Sequence, residues 1–95
     1  MPDPIEPAED LGHVHFVGIG GAALSGLARI MDARGLPVSG SDAQDSEALQ
    51  GLRDIGIECW VGHDAAHVDG ADTIVVSTAI REDNPEVARA HECGI

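Results

Sequence analysis

Apolar residues occur along this chain in two alternating patterns, one typical of strands and one typical of helices. The stretch HVHFVG (13–18) alternates and is rich in valine and phenylalanine, which predicts a buried strand. Residues 21–34 carry apolar side chains three and four positions apart, which predicts a helix with one apolar face that ends at Gly35. The residues expected on that face are Leu24, Leu27, Ala28, Ile30 and Met31.

The alternation of strands and helices continues through the rest of the chain. Further strands are expected over 36–41, 57–61 and 72–77, and the continuous apolar run of the last one predicts a strand covered on both faces. A second helix is expected over 45–55, with Leu49 and Leu52 facing inward and Gly56 at its end.

The last helix has a signal at each of its ends. Asn84 is a suitable N-cap, Pro85 suits the first turn, and Gly94 follows the expected end near Cys93. Because strands and helices alternate throughout, we predict an α/β fold: a Rossmann-like, doubly wound parallel sheet in three α/β/α layers. A lone residue follows Gly94, so we expect this chain to be one piece of a larger protein that lacks the last strand or strands of the sheet.

The composition predicts the domain organisation of the chain and excludes some classes of partner. Residues 1–11 contain three prolines and four acidic residues, which predicts a disordered leader before a single domain over 12–95. The chain has 17 acidic and 5 basic residues and a formal net charge of −12, so we expect neither nucleic acid nor a membrane as partner. Lysine is absent, so the chain by itself is not a P-loop ATPase, and bound phosphate must be held mainly by backbone N–H groups.

Cysteine content and hydropathy indicate a soluble cytoplasmic protein. Two cysteines, Cys59 and Cys93, do not make a disulfide framework. The acidic, proline-rich N-terminus is the reverse of a signal peptide, and no apolar run approaches the ~20 residues of a membrane span.

The glycines between the first strand and the first helix fit a dinucleotide-binding pattern. Gly18, Gly20 and Ala23 occupy G-x-G-x-x-G/A, in which the glycines allow a tight turn and close approach of a pyrophosphate, and the third residue must be small so that the helix packs on the strand. Asp42 follows 22 positions after Gly20, where an acid commonly meets a ribose hydroxyl. We predict a nucleotide site here rather than a plain turn.

The ends of the third and fourth strands face the same crevice in a doubly wound sheet. His63 follows the third strand, and residues 77–80 (STAI) follow the fourth. A histidine and hydroxyls there can hydrogen-bond phosphate or sugar, although a simple loop cap remains the alternative for Ser77 and Thr78.

The other histidines and cysteines do not predict a metal site. Cys59, His63 and His67 are spaced by four residues, but Cys59 lies in a predicted strand, so the three cannot share one helical face. His13 and His15 are expected on one face of the first strand without a function, and Cys93 is expected to pack. We expect the acidic excess to be mostly a solvated surface.

Four separated segments together resemble one enzyme family. HFVGIGGAALSGLA, SGSD, GH and VVSTAIREDNPE occur in the order found at the start of the ATP-dependent Mur ligases of peptidoglycan synthesis. The resemblance covers residues 12–95 and is greatest to the member that adds L-alanine to UDP-N-acetylmuramate. It implies an N-terminal Rossmann-like domain that binds the UDP moiety, and a role in cell wall biogenesis, cell shape and cell division.

The resemblance also implies a set of substrate-binding residues. Residues 18–25 would cradle the diphosphate with backbone amides, Ser41 and Asp42 would lie near the uridine, and His63 with residues 77–80 would line the diphosphate and sugar side. One departure is Ala23-Leu24, where the family usually has Gly-Met. The implied residues are Gly18, Gly20, Gly21, Ala22, Ala23, Leu24, Ser25, Ser41, Asp42, His63, Ser77, Thr78, Ala79 and Ile80.

In the intact ligase, the resemblance implies, ATP with magnesium phosphorylates the muramyl carboxylate, and the amine of L-alanine attacks the acyl phosphate. Other domains of the family do that chemistry, so this chain is expected to bind the UDP-sugar substrate without a cofactor of its own and without catalysis. The remaining ligase domains are the expected partners in cis.

Two other functions fit parts of the pattern. An NAD-binding Rossmann sensor or oxidoreductase module explains Asp42 equally well, but not His63 or residues 77–80. A pure interaction domain with a vestigial loop keeps the fold and loses the ligand. It predicts that Gly20→Val leaves partner binding intact.

Overall fold

The fold alternates strands and helices in the predicted order. The computed structural model describes residues 12–78, 80 and 83–94, so the predicted leader over 1–11, Ala79 and Ile95 lie outside it. Each predicted strand and helix is present, with ends within two residues of the expected ones. The elements are β1 (Val14–Val17), α1 (Ala22–Ala33), β2 (Val38–Asp42), α2 (Glu47–Asp54), β3 (Glu58–Val61), a 3-10 helix (Ala65–Val68), β4 (Thr73–Val76) and α3 (Pro85–Cys93).

The four strands form one parallel sheet in the order β3-β2-β1-β4. The chain therefore moves outward from β1 to β3 and then crosses back to the other side of β1, which is the reversal that defines a doubly wound sheet. The carboxyl ends of β1 and β2 lie side by side, with Val17 paired to Ser41. The predicted α/β class with a parallel sheet is confirmed.

Helices α1 and α2 cover one face of the sheet with apolar side chains. Alternate residues of β1, Val14 and Phe16, are fully buried in this cluster, and Leu49 and Leu52 of α2 face inward as predicted. Burial of such side chains is the main favourable term in folding, at about 25 cal/mol per Å². The complete buried cluster is Val14, Phe16, Ile19, Ala28, Met31, Leu36, Leu49, Leu52 and Ile57.

Helix α3 and the 3-10 helix lie on the opposite face, where buried polar side chains occur beside apolar ones such as Val68 and Val87. The fully or nearly fully buried polar residues are His15 of β1, Ser39 and Ser41 of β2, and Glu86 of α3. The structure thus has the three predicted layers, with an apolar cluster on one side of the sheet and a mixed interface that contains a buried hydrogen-bonded cluster on the other.

The helix ends follow the local sequence signals. The Ser46 side chain accepts from the Leu49 N–H at the start of α2, and Asn84 accepts from the Glu86 N–H at the start of α3. Gly94 has φ of 75° and ends α3 in the left-handed conformation that glycine adopts without strain.

Three sequence predictions are wrong. Ile30 is 55% exposed, so it lies off the apolar face of α1. The residues of β4 are half-buried and Val76 is 39% exposed, so this strand is not covered on both faces. Cys93 is exposed and does not pack in the core.

No helix among the described residues combines the length and the apolar character that crossing a bilayer requires.

Candidate functional site

The glycine loop after β1 is held by backbone and side-chain contacts on several sides. The N–H groups of Gly18 and Ile19 both donate to the carbonyl oxygen of Ser41, at 2.8 and 3.0 Å. The Ile19 side chain is fully buried above Gly40, where an added Cβ would lie 2.3 Å from Ile19 Cδ1. The loop is therefore anchored to β2 before any ligand is considered.

Two of the three loop glycines have a structural requirement. Gly18 has φ of 88°, which side chains rarely adopt, and an added Cβ would lie 2.9 Å from Ser77 Cβ. At Gly20 an added Cβ would lie 2.8 Å from Asp42 Oδ2. Gly21 has φ of −66°, and an added Cβ would make only an ordinary contact, 3.5 Å from the Gly18 oxygen. Its lack of a side chain is thus not required by the described protein atoms.

Asp42 binds the loop itself. Its Oδ2 accepts from the Gly20 N–H at 2.9 Å, and its Oδ1 accepts from the Gln44 N–H at 3.3 Å. This carboxylate stands at the end of β2, where the sequence pattern placed a ribose ligand. The structure adds a second role, because Asp42 fixes the position of Gly20.

Helix α1 begins directly after the loop with an uncapped end. Its N-cap residue, Gly21, offers no side-chain hydrogen bond, and the first turn contains no acidic residue. The first N–H groups of a helix have no acceptor within the helix, and the helix dipole favours an anion there. Since the N–H groups of Gly18, Ile19, Gly20 and Gly21 are already bonded, those of residues 22–24 are the ones left for a ligand.

The segment after β4 lies against the same loop. Ser77 and Ile80 are the nearest neighbours of the Cβ position at Gly18, and the Ile80 N–H donates to the Ser77 carbonyl at 3.0 Å. Thr78 is exposed, and Ala79 lies outside the described residues. The predicted meeting of the loop and this segment is therefore observed for Gly18, Ser77 and Ile80.

His63 is bonded into the carboxyl edge of the sheet. Its Nδ1 lies 2.8 Å from Glu86 Oε2 and 3.0 Å from Ser41 Oγ. Ser41 is fully buried, its hydroxyl donates to Glu86 Oε1 at 2.7 Å, and its carbonyl holds the glycine loop. Ser41 thus connects the loop to His63 and Glu86.

Glu86 is the centre of this arrangement, and sequence reasoning did not identify it. Its fully buried carboxylate accepts hydrogen bonds from three imidazoles, one hydroxyl and one backbone N–H. The donors are His15, Ser41, His63, His67 and the Asp64 N–H. A signal was present in the polar alternation His13-x-His15 and Ser39-x-Ser41 on buried strands, since buried polar groups require partners.

The surroundings of Glu86 keep it ionised. Burial alone would raise the pKa of this carboxyl, but the hydrogen bonds from His15, Ser41 and His63, together with the charge of His15, outweigh burial and lower the pKa to about 2. Glu86 is therefore a carboxylate at neutral pH and can only accept hydrogen bonds.

A relay of hydrogen bonds leads from the amino end of β1 to this carboxylate. Ser39 Oγ lies 2.8 Å from His13 Nε2 and 2.9 Å from His15 Nδ1, so both histidines share one face of the sheet as predicted. His15 Nε2 then donates to Glu86. The ring of His67 stacks on Trp60, with centroids 4.3 Å apart and planes 7° apart.

A metal centre does not form from these groups. No cluster of three or more His, Cys, Asp or Glu residues in the described part of the chain is arranged to hold a metal ion. Cys59 lies in β3, and burial raises the pKa of its thiol more than Arg53 lowers it, which disfavours the thiolate that a metal would need.

Comparison with known sequences decides the family. The sequence profile described as "Mur ligase family, catalytic domain" matches residues 13–95. The chain belongs to the Mur ligase family. The resemblance inferred from the four sequence segments is thereby confirmed at the level of the family.

Curated relatives of this Mur ligase chain carry one name. It is 61% identical over 95 residues to the UDP-N-acetylmuramate–L-alanine ligase of Nocardioides sp., covering all of this chain and 21% of that protein. It is 56% identical over 86 residues to the ligase of the same name from Clavibacter michiganensis, covering 90% of this chain and 18% of the relative. The chain spans about a fifth of the length of the curated relatives that it matches.

Solved structures of the family share the fold. The UDP-N-acetylmuramate–alanine ligase MurC from Thermotoga maritima superposes with a TM-score of 0.85 at 36% identity, over 87% of this chain and 19% of that one. The murein peptide ligase mpl from Psychrobacter arcticus superposes with a TM-score of 0.78 at 29% identity, over 88% of this chain and 18% of that one. The Rossmann-like architecture of this Mur ligase segment is thus found in both neighbours.

Proposed function

We propose that this chain forms the N-terminal domain, over residues 12–95, of a UDP-N-acetylmuramate–L-alanine ligase and binds the UDP moiety of the substrate. One observation carries the proposal. The loop after β1 brings the uncapped, acid-free start of α1 to the carboxyl edge of a parallel sheet, at the point where the strand order reverses. Helix N-termini at such switch points are sites for the phosphates of nucleotides.

The hydrogen bonds within the loop support a choice of atoms for holding the diphosphate. The amides of residues 22–24 contact its oxygens, because the preceding amides are bonded within the protein. Gly21 leaves room for the ligand to approach. Asp42 accepts ribose or uridine groups with the lone pairs that Gly20 and Gln44 do not use, and His63, Ser77, Thr78, Ala79 and Ile80 line the sugar side.

We assign ATP and magnesium to the rest of the longer protein. The chain has no lysine for a P-loop, and the described residues include no cluster that would hold a metal ion. The ATP-dependent ligation is therefore assigned to the rest of the longer protein, acting in cis with this segment in peptidoglycan synthesis. This chain alone binds and does not catalyse.

An amide-resolved NMR titration tests the proposal, with UDP-N-acetylmuramate in one sample and NAD in the other. Shifts of residues 20–24, Asp42 and Thr78 with the sugar nucleotide and not with NAD are expected. Shifts with NAD alone would establish the dinucleotide-binding alternative, which explains the position of Asp42 equally well.

Matched glycine variants locate the site. Gly20→Val is expected to abolish the shifts, because the side chain meets Asp42, whose carboxylate holds the loop. Gly26→Val is the control, since an added Cβ at this exposed position of α1 has no neighbour within 4 Å. Equal binding by both variants would remove the loop from the site.

A further inference from the structure

We infer that Glu86 is a positioning residue that presents Nε2 of His63 to the phosphoryl oxygens of the nucleotide, and that His63 takes up a proton when the nucleotide binds. This inference rests on the proposed function, because it concerns the same site and requires a ligand that carries a diphosphate.

The first step is the position of the proton on the free ring. Glu86 is fully buried and ionised, so it accepts and never donates. His63 Nδ1 lies 2.8 Å from Glu86 Oε2 and must therefore carry a hydrogen. The Ser41 hydroxyl donates to Glu86 Oε1, so its oxygen also receives the Nδ1 hydrogen of His63. The carboxylate thus fixes the Nδ1–H form of the ring.

The second step is the availability of the other ring nitrogen. Nε2 of His63 has no hydrogen-bond partner among the described residues, and no side-chain nitrogen or oxygen among them is both buried and unpaired. Nε2 is therefore accessible to solvent, on a side chain that is 14% exposed. The ring stands beside Ser41, whose carbonyl holds the glycine loop.

The neighbouring histidines are less suited to this role. His15 is fully buried and uses both ring nitrogens, for Ser39 and Glu86. His67 lies 3.3 Å from Glu86 Oε2, does not contact Ser41, and stacks on Trp60. Among the described residues, the titratable side chains bonded together with His63 in this cluster are these two histidines and Glu86, whereas Asp64 contributes its backbone N–H.

The third step is a count of hydrogens in the bound state. A phosphoryl oxygen at Nε2 and the Glu86 carboxylate at Nδ1 are both acceptors, so the ring between them must carry two N–H groups. The free ring carries one when neutral. A ring that is neutral before a diphosphate binds therefore draws one proton from solvent, and an imidazolium then lies between two anionic groups.

The described arginines do not supply that positive charge. Arg34 follows the end of α1, Arg53 pairs with Asp45, and Arg89 pairs with Asp69 and Glu92. Arg29 lies against Gly51 on α2. Among the described side chains, the imidazoles at this edge are the groups that can offset the ligand's charge.

Calorimetry at pH 7 in two buffers of different ionisation enthalpy measures the proton uptake. UDP-N-acetylmuramate is the probe, because its diphosphate is a fully ionised diester at this pH and releases or takes up no proton itself. Uridine, which has no phosphate, is the comparison. We expect uptake of a fraction of a proton with the sugar nucleotide and none with uridine.

Three variants and one spectrum assign the proton. Glu86→Gln and His63→Gln are expected to lose the uptake and to bind about tenfold more weakly, because a charge-assisted bond is lost. His67→Gln should keep the uptake. In ring-nitrogen NMR of the unliganded chain, His63 should carry its hydrogen on Nδ1, a measurement that stays decisive if Glu86→Gln does not fold.

The outcomes separate the inference from the proposed function. Binding without uptake, uptake that persists in His63→Gln, or a free ring with its hydrogen on Nε2 would overturn the inference while nucleotide binding stands. Absence of any binding of UDP-N-acetylmuramate would overturn the proposed function, and this inference with it.

Discussion

The two faces of the sheet bury different sets of side chains. On the face covered by α1 and α2, Val14 and Phe16 of β1 are buried among aliphatic side chains. On the face covered by α3, the intervening residue His15 is equally buried but bonded to Ser39 and Glu86. Because successive side chains of a strand point to opposite faces, β1 contributes buried residues to both interfaces.

The difference between the faces separates side chains that only pack from side chains that belong to the proposed site. An apolar interface specifies shape but offers a ligand no directed bonds, whereas the polar interface orients His63 and Ser41 at the carboxyl edge of the sheet. Its stability depends on the ionisation of one carboxylate, Glu86. The glycine loop lies between the two, with Ile19 in the apolar cluster and Gly20 bonded to Asp42.

The largest effect is expected from breaking the apolar face. Phe16→Ala removes a fully buried ring and should lower the free energy of unfolding by about 3–5 kcal/mol, because lost burial and a cavity add together. Urea denaturation measures the change. Ile30→Ala, at a 55% exposed position of α1, is the control and should stay within about 0.5 kcal/mol. Similar losses in both variants would contradict the assignment of the core.

The stability that the polar face contributes should depend on pH. The pKa of Glu86 is lowered in the folded state from 4.5 to about 2, so its contribution is fully present above pH 4.5 and is lost as the pH falls toward 2. Between pH 6 and pH 3 the stability advantage of the parent chain over Glu86→Gln should therefore shrink by about 2 kcal/mol.

Urea denaturation at the two pH values checks this expectation. Glu92→Gln is the control, since that exposed carboxyl lies on the same helix outside the buried cluster. A pH-independent difference for Glu86→Gln would show that the buried carboxylate does not titrate as described.

A smaller loss of stability is expected from a substitution at the glycine loop, which lies between the two faces. Asp42→Ala removes the acceptor of the Gly20 N–H, a bond to a charged group, and should cost about 1.5 kcal/mol. Hydrogen exchange at the Gly20 amide should become about tenfold faster. Asp45→Ala, which removes only an exposed ion pair with Arg53, should change neither quantity appreciably. Unchanged exchange in Asp42→Ala would mean that the loop does not depend on this side chain.

The smallest effects are expected from removing one helix cap on each face of the sheet. Ser46→Ala on α2 and Asn84→Ala on α3 should each cost about 1 kcal/mol in urea denaturation, because each loses an acceptor for a helical N–H. Only Asn84→Ala should also shift the ring signals of His63, since Asn84 holds the backbone of Glu86. Ring shifts in Ser46→Ala would contradict the separation of the two faces.

The elements of the fold were predictable because their signals are local. Helix periodicity, the caps at Asn84 and Gly94, and the run around Gly18 each depend on neighbouring residues. The contact of Gly18 with Ser77 followed from the rule that parallel strands end at one edge. The exposure of Ile30 and the partial burial of β4 were missed because burial depends on which elements pack together.

The chain's own sequence determined the order of strands and helices, the glycine loop and the family to which the chain belongs. Only the tertiary structure decided that Glu86, 71 residues from His15, is the shared partner of three imidazoles, and that Asp42 holds Gly20. The physical reason is the distance along the chain over which each effect acts. Backbone propensity and periodicity act within a few residues, whereas a buried charge is satisfied by whichever donors the folded chain brings to it.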